Sequence, residues 1–218
     1  MILRILVIIL ILLVVQKYCQ AHEVLVYNDL KEEELMKMPI SAFKGVSGIV
    51  INNYMPSFEL VEKLNKTMKV YVTVKYYRSD VISQALEIRF RGAYPVLDAE
   101  NYNKLCTYSY EEGRLYRDFF DGLLPENLGG EKYEGYDDFI KGLKPKFIFM
   151  ERTYNEWKPW ELIKFWLRNK YLRDRGIKTY IGIWPGSLPD ACQHLQDTTA
   201  YLLTDGIFWY SETKELPK

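Results

Sequence analysis

Gly92-Ala93-Tyr94-Pro95-Val96-Leu97-Asp98-Ala99-Glu100-Asn101-Tyr102 is the stretch whose local logic sets the architecture. It follows Ser79 to Phe90, where Val81, Ile82, Ala85, Leu86 and Phe90 recur at helical spacing and are expected to face a core. Gly92 then reads as a helix stop. A short apolar run comes next, and it ends in two carboxylates, Asp98 and Glu100. Helix, glycine, continuously apolar strand and polar strand end together form the repeating unit of a parallel sheet covered by helices. The two-residue period of a strand places Asp98 and Glu100 on one face. A close carboxylate pair raises the pKa of one member, which keeps an acid protonated near neutral pH. The plainer alternative is an Asp-x-Glu pair on a wet loop.

The same unit recurs on both sides. Before it, strands are expected at Glu23 to Tyr27, Gly45 to Ile51 and Lys69 to Val74. Helices are expected from Lys31 to Lys37 and from Ser57, as N-cap, to Leu64, with Phe58, Val61 and Leu64 on one stripe. After it, Tyr110 to Leu123 and Tyr136 to Leu143 read as helices, separated by Gly129-Gly130. Strands follow at Lys146 to Met150, Ile177 to Trp184 and Gly206 to Tyr210, with helices at Trp160 to Arg173 and Pro189 to Leu203 between them. Seven strands are legible, and an eighth has room between Cys106 and Pro145. The expected fold class is α/β, a compact or incomplete (β/α)8 TIM-like barrel forming one domain over residues 22–218. An open doubly wound sheet is the alternative. The absence of a Gly-rich dinucleotide fingerprint and of a phosphate-cradling Gly-Lys-Ser/Thr loop counts against that alternative.

A chain of 218 residues, 48% hydrophobic, can bury one sizeable core. Its 29 basic and 29 acidic residues balance, which argues against a nucleic-acid partner. Eighteen tyrosines suit recognition of a carbohydrate or protein surface. Residues 1–21 read as a signal peptide: Arg4 precedes the apolar run Ile5 to Val15, too short to span a bilayer, and small residues Cys19 and Ala21 precede His22. An uncleaved anchor is the alternative. The expected location is therefore secreted, with no membrane association after cleavage. Cys106 and Cys192 would remain as a candidate disulfide, and Asn65-Lys66-Thr67 matches the N-glycosylation pattern. Oligomeric state has no signal in the sequence.

In a barrel, function gathers just beyond the C-terminal ends of the strands. Those positions hold Asn28-Asp29, Asn52-Asn53-Tyr54, Tyr76-Tyr77-Arg78, Asp98 with Glu100, Glu151-Arg152 with Tyr154, Trp184, and Tyr210-Ser211-Glu212. Rings, amides and carboxylates in one cleft suit a carbohydrate ligand. Neither histidine, His22 or His194, sits in a ligand-spaced group, so no metal and no other cofactor is expected. No Ser nucleophile elbow is present.

Asp98-Ala99-Glu100 resembles the end of the Asp-Gly-x-Asp-x-Asp-x-Glu motif of chitinase-like family 18 glycoside hydrolases, with Val96 where the preceding Asp would stand. Phe149 to Tyr154 with Trp157, Tyr180 to Pro185, and Gly206 to Tyr210 are similar to that family's sixth, seventh and eighth strands. Leu97-Asp98-Ala99-Glu100 also resembles the family 25 lysozymes. The family 18 resemblance implies a secreted glycoside hydrolase acting on an N-acetylated amino-sugar polymer or glycan. Glu100 would be the general acid, Asp98 would orient the substrate's acetamido group, Tyr154 would hydrogen-bond to it, and Trp209 would floor the sugar. Tyr76, Trp184, Asn52, Glu151 and Glu212 would complete the substrate cleft. Independently of family, Glu151 and Glu212 form a rival carboxylate pair. The missing upstream carboxylates leave a second expectation, a non-catalytic barrel that binds a glycan or a protein.

Overall fold

In a computed structural model of the protein, the described residues are 23–28, 30–52, 54–76, 78–99, 109–125, 134–150, 167–183 and 204–211. The strands are β1 (Glu23–Asn28), β2 (Gly48–Ile51), β3 (Lys69–Lys75), β4 (Tyr94–Ala99), β5 (Gly122–Pro125), β6 (Phe147–Met150), β7 (Lys178–Ile183) and β8 (Gly206–Ser211). Described helices are α1 (Glu32–Lys37), α2 (Phe58–Asn65), α3 (Val81–Phe90), α4 (Tyr110–Tyr116), α5 (Glu134–Leu143) and helical residues 167–173 (α6). All eight strands are parallel, each pairs with its sequence neighbours, and β8 returns to β1 to close the barrel. Following the pairings once around returns to β1 about eight residues from the start, the stagger of a (β/α)8 barrel. The expected TIM-like fold is therefore present and closed. Among the described residues, no helix is long and apolar enough to cross a membrane.

The eighth strand is β5, inside the interval left open by the sequence. The expected helix from Tyr110 to Leu123 stops at Tyr116, and its last residues belong to β5. Only four residues long, Gly-Leu-Leu-Pro carries too little periodicity to separate a strand from the tail of a helix.

Local signals position the rest. Ser57 accepts a hydrogen bond from the Leu60 amide (3.1 Å) and caps α2, as expected, and Ser109 does the same for α4 through Glu112 (3.2 Å). Gly92 has φ +85°, the left-handed turn that ends α3 and launches β4. Two helical stripes differ from expectation. In α2, Leu60, Val61 and Leu64 are buried while Phe58 is 53% exposed. In α3, Val81, Ala85 and Ile88 are buried, whereas Ile82, Leu86 and Phe90 face outward. Both helices carry apolar residues on more than one face, so periodicity alone does not choose which face meets the sheet.

The strands are continuously apolar because both faces are covered. Ile49, Ile51, Val72, Val74, Leu97 and Ile148 pack outward against Leu60, Leu64, Ala85, Ile88 and Phe139 of the helices. The alternate residues, including Leu25, Tyr27, Val50, Tyr71, Val96, Leu124, Phe147, Phe149 and Tyr180, fill the barrel interior. Tyr71 meets Phe147 and Phe149 edge-on at 5.1 and 5.5 Å between centroids, and Phe149 meets Tyr180 at 5.5 Å. Glycine makes the room: a Cβ at Gly122 would collide with the Phe147 ring, and one at Gly48 would lie 2.7 Å from the Tyr71 ring.

The N-terminal floor is polar and paired. Glu23 accepts from Lys178 Nζ at 2.7 Å and from Tyr180 Oη at 2.9 Å, with Lys69 Nζ at 3.7 Å. Burial, the largest single influence, pushes the Glu23 carboxyl up. The Lys178 and Tyr180 hydrogen bonds and the charges of Lys178 and Lys69 together outweigh it, and the carboxyl ends below its ordinary 4.5.

Two outcomes are expected. Gly122→Ala should lower stability to urea by about 1–3 kcal/mol through overpacking against Phe147; an unchanged midpoint would refute the space argument. Because folding lowers the Glu23 pKa, its stabilisation is fully present above pH 4.5 and is lost as pH falls through the lower folded value. Glu23→Gln should therefore narrow its stability gap to wild type as pH drops from 6 to about 3 in thermal melts.

Candidate functional site

The alternation that fills the barrel also decides what reaches its mouth. Counting up β3 from the inward Tyr71 brings Thr73 and then Lys75 to the inner face. Counting up β4 from Val96 brings Asp98 to the same face, and Asn52 follows Val50 just past β2. Three of these inner-face groups are buried polar residues: Asn52, Thr73 and Asp98, the last only 1% exposed. Apolar filling thus gives way to polar chemistry at the C-terminal end.

Lys75 and Asp98 are register partners on adjacent strands. Lys75 Nζ lies 2.5 Å from Asp98 Oδ2, with the carboxylate side chain wholly buried and the lysine one-fifth exposed. The Tyr76 amide donates to the Asp98 carbonyl at 2.9 Å, holding the two strand ends together. Beside the pair, Thr73 Oγ1 donates to Asn52 Oδ1 at 2.6 Å. The ion pair therefore sits beside a braced polar layer.

A cavity of about 340 Å³ opens beside the ends of β2 and β3. Tyr54, Met55, Lys75 and Arg78 contribute to its wall. Arg78 is oriented by Asp80, through Nε at 3.0 Å and Nη2 at 3.4 Å, and Gln84 Nε2 donates to the same carboxylate at 2.6 Å. Those hydrogen bonds, Arg78's first, hold the exposed Asp80 carboxyl down at about 2. The Tyr54 hydroxyl is pushed up from its ordinary value, first by burial and then by the charge of Glu32, so it stays a donor.

Of the residues singled out from sequence, Asp98 and Asn52 lie on the inner face at the mouth. Tyr76 packs edge-on to Tyr116 and Phe139 at 5.6 and 6.3 Å. Trp209 belongs to β8 and pairs with Val26 and Ile183. Asn65 ends α2, and its Nδ2 donates to the Gly92 carbonyl at 3.0 Å. Glu100, Glu151, Tyr154, Trp184, Glu212, Cys106 and Cys192 lie outside the described residues, so the proposed disulfide finds no support here. Among the described residues, no group of three or more His, Cys, Asp or Glu is placed to hold a metal ion. Lys75 is the site residue that the strand-end reading of Tyr76, Tyr77 and Arg78 does not contain; two-residue counting from Tyr71 places it on the inner face.

No known protein family matches the chain, and no curated protein sequence does. The fold matches many solved structures. A putative isomerase from Sinorhizobium meliloti superposes with a TM-score of 0.60 at 9% identity, covering 87% of this chain and 50% of that one. A deoxyribose phosphate aldolase from Aeropyrum pernix gives 0.55 at 13% identity, covering 85% and 83%. An enolase-superfamily protein from Listeria innocua gives 0.57 at 9% identity, covering 88% and 50%. The chain thus spans about half the length of the isomerase and of the enolase-superfamily protein. Likeness at this identity concerns the fold.

These findings overturn the resemblance to family 18 glycoside hydrolases and to family 25 lysozymes. With it fall the expected N-acetyl-amino-sugar glycosidase activity and the designation as a glycoside hydrolase. The structural neighbours are barrels of isomerase and aldolase type, and no family pattern supports a hydrolase. The physical reason is visible at Asp98. Its carboxylate is buried and held by Lys75, whereas the resemblance required it to face a substrate acetamido group. A three-residue motif at a strand end is too short to specify such a partner.

The pair makes a stability prediction. Lys75→Met strands a buried carboxylate and should cost about 3–5 kcal/mol, while Lys75→Met with Asp98→Leu should recover most of it. Urea unfolding of wild type, single and double variants decides; equal losses for single and double would refute the coupling.

Proposed function

We propose that this chain is a barrel enzyme that moves a proton at the carbon next to a carbonyl group, with the Lys75–Asp98 pair as its reacting centre. One observation carries the reading: a wholly buried carboxylate holds a lysine ammonium at 2.5 Å at the mouth of a closed barrel. An apolar residue at position 98 would continue the filling begun by Val96 at lower desolvation cost. The pair is therefore better explained by chemistry than by stability, and in this architecture chemistry is done at that end.

Removing a proton beside a carbonyl, here to a water molecule from solvent that carries it away, puts negative charge on the carbonyl oxygen. A fixed ammonium aimed at that oxygen stabilises the charge and can donate a proton to it. Lys75 has that role. Asp98 touches the lysine rather than the substrate, so it is a positioning residue, and Asn52 and Thr73 brace the layer beneath. Aldol cleavage and proton-shift isomerisation both pass through such an oxyanion, and the isomerase and the aldolase among the similar folds agree with this class by analogy alone.

The test is solvent deuterium uptake at the carbon next to the carbonyl, followed by proton NMR across a panel of 2-oxo acids and hydroxy ketones. Wild type should catalyse uptake in at least one of them. Lys75→Met should slow it about 10²–10³-fold. Asp98→Asn should lower kcat more than it changes KM. A wild type that exchanges none of the panel sinks the reading.

A further inference from the structure

All eight strands run the same way, so every strand begins, and the helix before it ends, at one end of the barrel. Charge is unevenly placed there. From the end of each preceding helix to the first residue of each strand, the described residues hold nine basic and five acidic side chains, an excess of four. The whole chain balances at 29 of each, so the excess is a matter of placement. The last turns of the helices, where cations answer the helix dipole, lie outside these segments. Exposure sharpens the asymmetry. Lys44, Lys66, Lys144 and Arg175 are exposed. Three of the five acids are taken up in ion pairs: Glu23 with Lys69 and Lys178, Asp121 with Arg89 and Lys146, and Asp205 with Arg173. The Asp121 side chain is only 7% exposed.

A second, independent observation concerns apolar side chains at the same end. Among the described residues, Phe90 and Leu115 are the most exposed large hydrophobic side chains, at 79% and 67%. Phe90 is the last residue of α3 and Leu115 the last but one of α4, so the topology brings both to the basic end. Tyr94 opens β4 two residues before the inward Val96, with its ring 5.4 Å from that of Tyr71, and it is still 38% exposed. Apolar and aromatic side chains set among lysines suit the headgroup layer of a bilayer, which is wet and charged outside and apolar beneath. The chain also arrives at this end. Residues 1–22 precede β1, and in sequence they hold Arg4, the apolar run Ile5 to Val15 and Lys17.

We propose that the N-terminal end of the barrel docks on an anionic lipid membrane. The lysines meet the lipid headgroups, each adding to the attraction, and Phe90 and Leu115 enter the layer between them. A nucleic acid would engage the same cations but would leave Phe90 and Leu115 unused, whereas a bilayer uses both. Docked in this way, the barrel turns its opposite end, with Lys75 and Asp98, away from the lipid and toward solvent. The surface is independent of the reaction proposed at that opposite end.

Co-sedimentation of the full chain with vesicles tests the surface, using phosphatidylcholine alone and phosphatidylcholine mixed roughly 3:1 with phosphatidylglycerol. Wild type should bind the mixed vesicles at least about tenfold more tightly at about 0.1 M NaCl, and most of that preference should vanish at about 0.5 M. Lys66→Gln and Lys144→Gln should each weaken binding about fivefold, and the triple variant with Lys44→Gln about 10²-fold. Lys31→Gln, exposed at the opposite end, should change it less than about twofold. Phe90→Ser should weaken binding at both salt concentrations, because salt does not screen apolar contact. All these side chains are exposed, so the Tm of each variant should match wild type. Equal partition into the two vesicles would overturn the proposal. Wild-type partition of the triple variant would also overturn it, by leaving the attraction to residues 1–22. Tighter binding of a DNA duplex than of mixed vesicles, with the same lysine losses, would give the face to nucleic acid instead. Deuterium exchange reads the opposite end of the barrel, so a wild type that exchanges nothing but binds as expected leaves this surface standing.

Discussion

The structure depends on filling the inside of a closed eight-stranded barrel. Eight parallel strands fix the width of the interior, and side chains must fill it without voids or collisions. Here the rings of Tyr71, Phe147, Phe149 and Tyr180 pack together inside, and Gly48 and Gly122 leave the space that Tyr71 and Phe147 need. Large and small inward residues are matched across neighbouring strands, so neither group works without the other. The outer face follows from the same constraint: once the interior is sealed, the opposite face of every strand must be covered by helices, and the apolar residues of α2, α3 and α5 supply that cover.

A filled interior makes the two ends of the barrel the places where polar groups can gather. At the N-terminal end, Glu23 ties together Lys69 of β3 with Lys178 and Tyr180 of β7, all remote from it in sequence. Such a knot stabilises a floor. At the C-terminal end, the Lys75–Asp98 pair sits on the Asn52–Thr73 hydrogen bond, next to a cavity with two cations in its wall. The difference between the ends is physical. Glu23 meets several donors in one cluster, and Lys75 besides its partner lines space that a small molecule could occupy.

The carbohydrate reading shows how a correct fold can lead to a wrong activity. Aromatic and acidic residues at strand ends are what a sugar cleft needs, but many chemistries on this scaffold place such residues there. Sequence position pointed to Asp98 and Asn52 near the mouth and left their neighbours unspecified. Asp98 is the clear case. Beside Glu100 in the sequence it reads as half of an acid pair. Across the sheet its partner is Lys75, which turns an acid site into the support for a fixed cation.

Much of this protein was determined by its sequence. Continuous apolar runs with intervening amphipathic segments dictated parallel strands under helices, because only strands buried on both faces avoid alternation. Ser57 and Gly92 marked a helix start and a helix end by local hydrogen bonding and backbone freedom. Tertiary structure decided three things. It placed β5 at Gly122–Pro125, because four residues become a strand only when β4 and β6 offer edges to pair with. It chose the buried faces of α2 and α3, because contact with the sheet, and not periodicity, exposes Phe58 and Phe90. It joined Lys75 to Asp98, 23 positions apart in sequence and opposite one another in register. That last pairing depends on strand stagger, a property of the closed barrel that no local stretch encodes.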